Sequence, residues 1–490
     1  LFVYSGNFLV EAEKDQYDQT RIQMGLTDEL FAYPLEAGAE FTAPEVILSY
    51  TNKGLSRLSQ QYHHCIMNHI CQGKYVHANR PVLINSWEAF YFDFDAPKLL
   101  GLADAAADLG MELFVLDDGW FGKRDDSTSS LGDWYPNEEK LKGTLKELAE
   151  KINAKGLKFG LWIEPEMTNK DSDLYRAHPD WLLAEQGKRI CHSRNQYVLD
   201  FSKREVREYI GDMLENLLAE VPVSYIKWDL NRTFSEVFSN GNDREYQGKV
   251  CHKYVLGVYE LYERLTSRFP HVLFESCASG GARFDPGMLY YAPQGWTSDD
   301  TDAIERLKIQ YGTSMVYPVS CMGSHVSASP NHQTNRVTPI ETRADVAYFG
   351  TFGYELDLLK LSEEEKAEVR RQIAFMKEKR DLIQKGTFYR LKSPFEGNET
   401  AWMIVSEDQK KALVGYYRVM QPVNVGFKRL KLKGLKEDIC YKVSGYDYDC
   451  YGDELMQAGM ILSDSASGVW KKGVNDKGDF QAKVFEIVAV

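Results

Sequence analysis

Residues 141–166, LKGTLKELAEKINAKGLKFGLWIEPE, contain the signal of one helix followed by one strand. Apolar residues recur there at the three- and four-residue spacing that places them on one helix face: Leu141, Leu145, Leu148 and Ile152. Gly156 then stands where a helix commonly ends in a left-handed residue. The apolar run 158–163 that follows has the length of a buried strand. The stretch therefore predicts one helix–strand unit of an α/β fold.

The same alternation of short apolar runs and amphipathic stretches begins near residue 80. The predicted strands are 81–86, 113–116, 158–163, 197–199, 225–228, 272–274, 295–298 and 315–319. A second helical stripe lies between two of them and consists of Val206, Tyr209, Ile210, Met213, Leu214 and Leu217. Eight strand–helix alternations are what a (β/α)₈ TIM barrel requires. A doubly wound parallel sheet is the alternative.

The segments on either side of this alternation have a different pattern. Residues 1–50 resemble the closing strands of an N-terminal β domain whose earlier part precedes the chain, and a helix is expected within 51–78. The barrel is predicted to occupy 79–386, ending in a charged helix over about 362–384. Residues 387–490 alternate strands with Gly-rich turns, which predicts a small antiparallel β domain.

Composition excludes several classes of partner. The net charge of −14 argues against nucleic acid, which needs a basic surface. No window reaches the roughly 18 apolar residues of a membrane span. The 8 cysteines are scattered without repeated CxxC spacing, which indicates reduced thiols, a cytoplasmic location and no structural zinc. We therefore expect no metal and no cofactor.

Acidic residues follow most of the predicted strands, at the end of the barrel where such folds carry their chemistry. Helix capping explains some of them. Ser202 and Glu205 have the spacing of a capping box, which gives the turn after Asp200 a structural role. Asp302 and Glu305 have the same spacing, so Asp302 is predicted to be a helix cap.

Capping does not explain Asp229. This residue lies in a strand-like run two positions after Lys227, so both side chains face one side, and the lysine favours an ionised carboxylate. An ionised carboxylate facing into a barrel is suited to act as a nucleophile. Glycoside hydrolysis needs a second, protonated carboxyl. Asp299 and Asp300 are both candidates, and strand alternation sends them to opposite faces, so spacing leaves the choice open.

At these positions the sequence resembles the α-galactosidases of glycoside hydrolase family 36. The resemblance extends from residue 4 to about residue 353. It is carried by Tyr4-Ser5-Gly6-Asn7-Phe8, Asp117-Asp118-Gly119-Trp120, Leu161-Trp162-Ile163-Glu164-Pro165-Glu166, Lys227-Trp228-Asp229-Leu230-Asn231-Arg232, Glu275-Ser276-Cys277-Ala278-Ser279-Gly280-Gly281 and Trp296-Thr297-Ser298-Asp299-Asp300-Thr301-Asp302.

The resemblance implies a retaining enzyme that hydrolyses terminal α-galactosyl residues of oligosaccharides of the melibiose and raffinose type. Asp229 matches the nucleophile, which forms a covalent galactosyl-enzyme, and Asp299 matches the acid/base, with Asp300 as the alternative. Asp117 and Asp118 match the pair that holds the C4 and C6 hydroxyls of galactose. The full set of substrate-binding positions is Asp117, Asp118, Trp162, Arg194, Lys227, Asn231, Cys277, Gly280 and Trp87.

The resemblance also bears on assembly and on competing functions. Bacterial members of the family carry a large N-terminal β-sandwich, of which this chain is expected to hold only the end, and they form tetramers. Rival activities within the family are α-N-acetylgalactosaminidase, which needs room beside C2 near Cys277, and galactosyl-transferring synthases of raffinose-type sugars. A carbohydrate-binding protein on an inactive barrel would not need both Asp229 and Asp299. A metal-dependent barrel hydrolase is disfavoured by the lack of His ligands at the strand ends.

Overall fold

The computed structural model describes residues 1–423, 427–462 and 478–490. The strands are β1 (Phe8–Lys14), β2 (Thr20–Leu26), β3 (Leu83–Asn85), β4 (Leu113–Leu116), β5 (Lys158–Ile163), β6 (Met167–Asn169), β7 (Gln196–Val198), β8 (Tyr225–Trp228), β9 (Leu273–Ser276), β10 (Gln294–Trp296), β11 (Met322–Ser327), β12 (Thr351–Glu355), β13 (Thr387–Lys392), β14 (Glu399–Val405), β15 (Lys411–Arg418), β16 (Arg429–Leu430), β17 (Cys440–Val443), β18 (Asp449–Tyr451), β19 (Met460–Ile461) and β20 (Gln481–Ala489).

The helices alternate with the strands through the middle of the chain. They are α1 (Gly54–Cys65), α2 (Trp87–Phe90), α3 (Ala96–Leu109), α4 (Glu138–Leu141), α5 (Leu145–Asn153), α6 (Asp173–Ala177), α7 (Arg204–Glu220), α8 (Arg244–Gln247), α9 (Val250–Arg268), α10 (Pro286–Tyr291), α11 (Ala303–Thr313), α12 (Ile340–Ala347), α13 (Glu363–Lys385) and α14 (Gly452–Glu454). No helix in the described part of the chain combines the length and the apolar character needed to cross a bilayer.

Eight parallel strands close into a barrel in the order β3, β4, β5, β8, β9, β10, β11 and β12, with β12 pairing back to β3. The predicted (β/α)₈ barrel is therefore confirmed, and the doubly wound alternative is wrong. All four residues of β4 and of β8 are buried, because the outer helices cover the barrel and side chains fill its interior. Because all eight strands run parallel, the loops that follow them lie together at one end of the barrel.

Two of the eight predicted barrel strands are wrong. The run 197–199 overlaps β7, which pairs antiparallel with β6 beyond the end of β5; the segment 170–195, which contains α6, connects the two strands. The position beside β5 in the barrel belongs instead to β8, with Gly160 opposite Tyr225. The run 315–319 lies before β11, and the last strand, β12, was not predicted. Strands β11 and β12 contain Gly, Ser and Glu among their apolar residues, so neither has the continuous apolar run of a buried strand.

Of the two predicted helix caps, one is confirmed and one is wrong. Asp302 accepts hydrogen bonds from the backbone of Ile304 at 2.8 Å and caps α11, as predicted. Ser362 and Glu365 form a capping box at the start of α13. The predicted box at Ser202 is wrong, because α7 begins after Lys203 and the Ser202 hydroxyl donates to Asp200 instead, at 2.5 Å. Asp200 remains a structural residue, held by the hydroxyls of Ser202 and Ser239.

The C-terminal residues form a six-stranded antiparallel sheet in the order β13, β14, β15, β20, β17 and β18, as predicted. Its side chains alternate between two cores. Trp402 and Ile404 pack into the core of the barrel, while Ala401, Met403 and Val405 belong to a separate core on the other face. The sheet therefore packs against the outside of the barrel, and Phe480, next to β20, contacts Arg336 in the loop after β11.

Strands β1 and β2 form a hairpin at the start of the chain. The residues before it contact the barrel: the Tyr4 hydroxyl lies 3.0 Å from His252 Nδ1, and the Ser5 hydroxyl donates to Asp285 at 2.7 Å. The proposed limits between the parts of the chain, at residues 50, 78 and 386, stay predictions.

Candidate active site

A pocket of about 230 Å³ lies among the loops that follow the barrel strands. It is lined by Trp87, Glu88, Phe92, Asp117, Asp118, Arg124, Ser127, Trp162, Arg194, Gln196, Lys227, Asp229, Asn231, Trp296, Asp299, Thr301, His332, Gln333 and Glu355. A larger cavity of about 1060 Å³ lies between α12, α13 and the C-terminal sheet. The smaller pocket is the better candidate, because barrel chemistry occurs at the carboxyl ends of the strands.

Asp229 lies at the end of β8, 6% exposed, and both of its oxygens are held. Oδ2 accepts from Trp162 Nε1 at 3.1 Å and from Asn231 Nδ2 at 2.7 Å, and Oδ1 accepts from the Leu230 amide at 2.8 Å. Burial alone would raise the pKa of Asp229. The charge of Lys227 and hydrogen bonds that include one from Cys277 outweigh it and hold the pKa below its usual value. The carboxylate is therefore ionised and fixed in orientation.

Lys227 makes its direct ion pair with Asp117 rather than with Asp229. Its Nζ lies 3.1 Å from Asp117 Oδ2, which also accepts from Asn85 Nδ2 at 2.7 Å. Burial raises the pKa of Asp117, a rise that the charge of Lys227 opposes. Burial would lower the pKa of Lys227, yet the charges of Asp117 and Glu355 leave it well above its usual value. The lysine thus supplies a permanent positive charge to the floor of the pocket.

Asp118 is held by an arginine that the sequence did not single out. Arg124 donates from Nε to Asp118 Oδ1 at 2.9 Å and from Nη2 to Oδ2 at 2.8 Å, so the pair is bidentate. Its Nη1 reaches the Ser129 carbonyl at 2.9 Å and Asn169 Oδ1 at 3.1 Å. Arg124 is only 2% exposed, and the fork fixes the rotamer of Asp118.

The structure separates Asp299 from Asp300. Asp299 lines the pocket and accepts from Trp296 Nε1 at 3.1 Å. Partial burial, followed by the negative charge of Asp229, raises the pKa of Asp299. Asp300 is not among the lining residues, and its Oδ1 accepts from the backbone of Asp302 at 3.0 Å. The two pocket carboxyls, Asp229 and Asp299, therefore have pKa shifts in opposite directions.

Gly280 fixes the position of the loop that carries Asp299. Its φ of +86° is in the left-handed region, and it forms a backbone bridge with Ser298. A Cβ at this position would lie 2.6 Å from Ser298 Cα and 2.7 Å from the Asp299 nitrogen. Only glycine allows these two loops to approach so closely. Gly280 thus acts on the pocket through the backbone of Asp299.

Asn231 connects several groups around Asp229. Its Nδ2 donates to Asp229 and, at 3.1 Å, to Glu164 Oε2, while its Oδ1 accepts from Arg194 Nη1 at 2.9 Å and from Ser279 Oγ at 3.0 Å. Burial, followed by the charge of Asp229, raises the pKa of Glu164 to about 8. The amide of Asn231 therefore has every polar atom satisfied, which fixes its orientation towards Asp229.

Of the eleven sequence-predicted residues other than Asp300, nine line the pocket. The two exceptions are Cys277 and Gly280, which lie behind it. Cys277 is 2% exposed and reaches the pocket only through its hydrogen bond to Asp229. Trp87 is half-buried at the pocket's edge, in edge-to-face contact with Phe92 at 5.2 Å.

Sequence reasoning missed several lining residues. Glu355 ends the unpredicted strand β12, and its Oε2 lies 3.0 Å from His325 Nδ1. Glu88 accepts from the Thr301 hydroxyl at 2.7 Å and lies 3.3 Å from His332 Nδ1. The acid at residue 88 was visible as a strand-end residue, whereas nothing in the spacing marks Arg124 or His332. Among residues 1–423, 427–462 and 478–490, no three His, Cys, Asp or Glu side chains are grouped as a metal site.

Three family models match the chain. The Melibiase model covers residues 40–386, the glycosyl hydrolase family 36 C-terminal domain model covers 399–487, and the corresponding N-terminal domain model covers 1–36.

Characterised relatives are similar over nearly the whole chain. The bifunctional alpha-galactosidase/sucrose kinase AgaSK of Mediterraneibacter gnavus is 56% identical over 94% of this chain and 49% of its own length. Alpha-galactosidase AgaA of Geobacillus stearothermophilus is 52% identical over 96% of this chain and 65% of its own length. The chain thus spans between about half and two thirds of these relatives.

Solved structures of family 36 α-galactosidases are also similar to this chain over its whole length. The crystal structure of AgaA superimposes with a TM-score of 0.96 at 50% identity and covers 100% of this chain and 66% of that one. Variants of AgaA have been crystallised with raffinose and with stachyose.

Proposed function

Because the chain belongs to glycosyl hydrolase family 36, we propose that it is a retaining α-galactosidase acting on terminal α-galactosyl residues of oligosaccharides of the melibiose and raffinose type. The observation that carries the proposal is the pair Asp229 and Asp299, two pocket carboxyls whose pKa values shift in opposite directions. One ionised and one protonated carboxyl are what glycoside hydrolysis requires.

In the first step, the ionised Asp229 attacks C1 of the galactosyl unit. The bond between C1 and the glycosidic oxygen breaks, and Asp299 gives its proton to that oxygen, so the leaving sugar departs as an alcohol. Asp229 is then esterified to C1. Because Asp229 no longer carries a negative charge, the main charge that raised the pKa of Asp299 is removed, which favours its ionised form.

In the second step, the ionised Asp299 takes a proton from water. The water oxygen attacks C1 and the ester to Asp229 breaks, which restores both carboxyls to their starting states. Two inversions at C1 leave galactose with its original α configuration.

Selectivity for galactose is assigned to the charged floor of the pocket. Asp117 and Asp118 are proposed to accept hydrogen bonds from the C4 and C6 hydroxyls, with Lys227 and Arg194 as donors to other hydroxyls. Carboxylates held in fixed orientations discriminate strongly, since a sugar without the matching hydroxyl leaves them unpaired. The remaining proposed contacts are the walls Trp87 and Trp162, the amide of Asn231, and the C2 edge near Cys277 and Gly280.

We propose a homo-oligomer, a tetramer by resemblance to the family, and a cytoplasmic location. All 8 cysteines are free in the structure, which supports a reducing compartment. Light scattering after size-exclusion chromatography measures the assembly, and a mass of one chain would contradict it.

Proton NMR of fresh hydrolysis mixtures tests the proposed function. An aryl α-galactoside, the matching α-N-acetylgalactosaminide and raffinose are supplied separately. The expected result is α-galactose as the first product from the galactoside and from raffinose. First appearance of β-galactose contradicts the retaining mechanism. Faster turnover of the N-acetylgalactosaminide, or galactosyl transfer from raffinose that exceeds hydrolysis, would favour the rival activities.

A further inference from the structure

The carboxyl of Asp299 is held by far fewer groups than that of Asp229. In the part of the chain that the structure describes, the Asp299 carboxyl accepts one hydrogen bond, from Trp296 Nε1 at 3.1 Å. A group that alternates between acid and base cannot be surrounded by donors, because hydrogen bonds to the charged form would keep it ionised. The direction of the Asp299 side chain therefore has to come from its own backbone and from the Trp296 ring.

Arg306 binds the loop that carries Asp299. This arginine lies in α11, directly after the loop, and its side chain turns back over residues 297–300. Its Nε donates to the Asp300 carbonyl at 2.7 Å, Nη2 to the Ser298 carbonyl at 2.6 Å and Nη1 to the Thr297 hydroxyl at 2.6 Å. These acceptors lie on both sides of Asp299 in the chain. The loop cannot shift at Asp299 without breaking them.

The same guanidinium holds the ring that binds Asp299. Arg306 Cζ lies 4.4 Å from the centroid of the Trp296 ring, and Nη1 also donates to the Gly323 carbonyl at 3.0 Å. A Cβ at Gly323 would lie 2.7 Å from Trp296 Cε3, so the glycine gives the indole its place in the barrel. A cation over an aromatic face is favourable, and more so where water is excluded. Arg306 thus fixes both supports of the Asp299 carboxyl.

The chemistry of the guanidinium explains why this position holds an arginine. Arg306 is 3% exposed, and its planar fork presents five N–H donors in fixed directions, which lets it bind several loop oxygens at once. Lysine would keep the charge but offers no such fork. Burial lowers the pKa of Arg306 to about 10, which leaves the side chain charged near neutral pH. One side chain therefore holds the whole loop in a single geometry.

We propose that Arg306 is the positioning residue of the acid/base and directs the Asp299 carboxyl at the glycosidic oxygen through the loop 297–300 and the Trp296 ring. The inference rests on the proposed function, in which Asp299 protonates that oxygen. Arg306 is not one of the residues that line the pocket, so its effect is exerted through Trp296 and Asp299. Its loss should impair proton transfer and leave galactose binding intact.

The test compares wild type, Arg306→Lys and Arg306→Met on raffinose and on an aryl α-galactoside with a good leaving group. Misplacing Asp299 should lower kcat of Arg306→Met on raffinose about 100-fold. Arg306→Lys keeps the charge and should lose only about tenfold. Release of the phenol in the first turnover needs little help from an acid and should slow by less than about threefold. Equal losses on both substrates would overturn the proposal, as would no loss on raffinose.

Galactose affinity provides a second readout. Calorimetry on Asp229→Asn, with and without Arg306→Met, should give dissociation constants within about threefold of each other, because the galactose-binding carboxylates do not contact Arg306. A loss of affinity as large as the loss of kcat on raffinose would mean that the substitution deforms the whole pocket, which contradicts a specific effect on Asp299.

Arg390→Met is the matched control. Arg390 is also a buried arginine bound to α11, but at the other end of that helix: it donates to the Ser314 carbonyl at 2.7 Å and lies 5.7 Å from the Tyr311 ring. Its loss should lower the unfolding midpoint and leave the ratio of the raffinose rate to the first-turnover aryl rate unchanged. A selective loss on raffinose in Arg390→Met would show that the ratio reports only the stability of α11, which would overturn the inference.

A milder variant and a crystal structure test the inference where turnover cannot. Thr297→Val removes one acceptor of Arg306 and should lower kcat on raffinose about fivefold, even if Arg306→Met does not fold. A crystal structure of Arg306→Lys should show a displaced loop and loss of the hydrogen bond from Trp296 to Asp299. An unchanged loop would contradict the proposal. If wild type hydrolyses no α-galactoside, the proposed function fails, whereas the crystal structure still decides whether Arg306 positions Asp299.

Discussion

The pocket and a neighbouring hollow, which is lined by residues that include Thr128, Tyr175, His192 and Tyr197, are built differently. The charged groups of the pocket are buried and multiply bonded: Asp229 has five donors, Cys277 among them, and Asp117 has three. The hollow is lined by half-buried and exposed residues with fewer partners, such as Tyr175 and His192. Chemistry at C1 needs charges fixed before the sugar arrives. Substitutions should therefore have large effects in the pocket and small ones in the hollow.

The largest effect is expected from Asp229→Asn. The amide keeps the size of the side chain but cannot form the ester, so kcat on an aryl α-galactoside should fall by about 10⁴-fold. Galactose affinity, measured by calorimetry on the same preparation, should stay within about threefold, which is the control for folding. Substantial residual turnover would remove Asp229 from the role of nucleophile.

Asp299→Ala should lower activity by about 10²- to 10⁴-fold on raffinose, whose leaving oxygen needs a proton. The raised pKa of Asp299 means that wild-type activity falls as the pH rises through that value, because the acid form is lost. On an aryl substrate with a good leaving group this alkaline decline should disappear in Asp299→Ala, and azide should restore turnover.

Asp300→Ala is the matched control for that experiment, since Asp300 is the adjacent carboxyl outside the pocket. It should keep the wild-type pH profile and show no response to azide. Azide rescue of this variant instead would move the acid/base role by one residue.

Gly280→Ala tests whether the loop approach positions Asp299. The added Cβ would force Ser298 and Asp299 to move, so kcat of the folded enzyme should fall about tenfold or more, and the strained φ should also lower the unfolding midpoint. Gly312→Ala, in α11 with no atom within 4 Å of the added Cβ, should leave kcat unchanged. Equal kcat values for the two variants would contradict the positioning role.

The smallest effect in the pocket is expected from Arg124→Lys. Lysine keeps the charge but loses the two-point contact with Asp118, so KM should rise about tenfold while kcat changes less. Arg264→Lys is the control, because Arg264 also bridges two acids, Asp212 and Glu215, but on the outer surface between α7 and α9. A fall in kcat at constant KM would show that Asp118 acts on the transition state alone.

The sequence predicted those parts of the structure in which residues that are neighbours in the chain are also neighbours in space. Asp229 and Lys227 were identified because both lie on or just after a continuous apolar strand. Asp299 and Asp300 could not be separated by spacing, since the loop after β10 leaves regular strand geometry and its course depends on the approach of Gly280. The motif resemblance, rather than periodicity, favoured Asp299.

The errors have a common physical origin. Residues 197–199 have the apolar pattern of a barrel strand, but strand pairing is set by contacts with distant segments, and β8 occupies that place beside β5. Arg124 lies in a loop that has no periodic pattern. Only its two hydrogen bonds to Asp118, which the structure shows, identify it as a residue of the site. The misassigned run forms β7, whose two sides separate the pocket from the hollow.

The central claim is that Asp229 forms a covalent bond to galactose, and trapping that species tests it most directly. The chain is incubated with 5-fluoro-α-galactosyl fluoride, whose second fluorine slows hydrolysis of the ester, and is then analysed by mass spectrometry of the intact chain and its peptides. We predict one added fluorogalactosyl unit, located on the peptide that contains Asp229, and no label in Asp229→Asn. A label on Asp299 would contradict the account. So would steady hydrolysis of the fluoride with no adduct and no loss of activity.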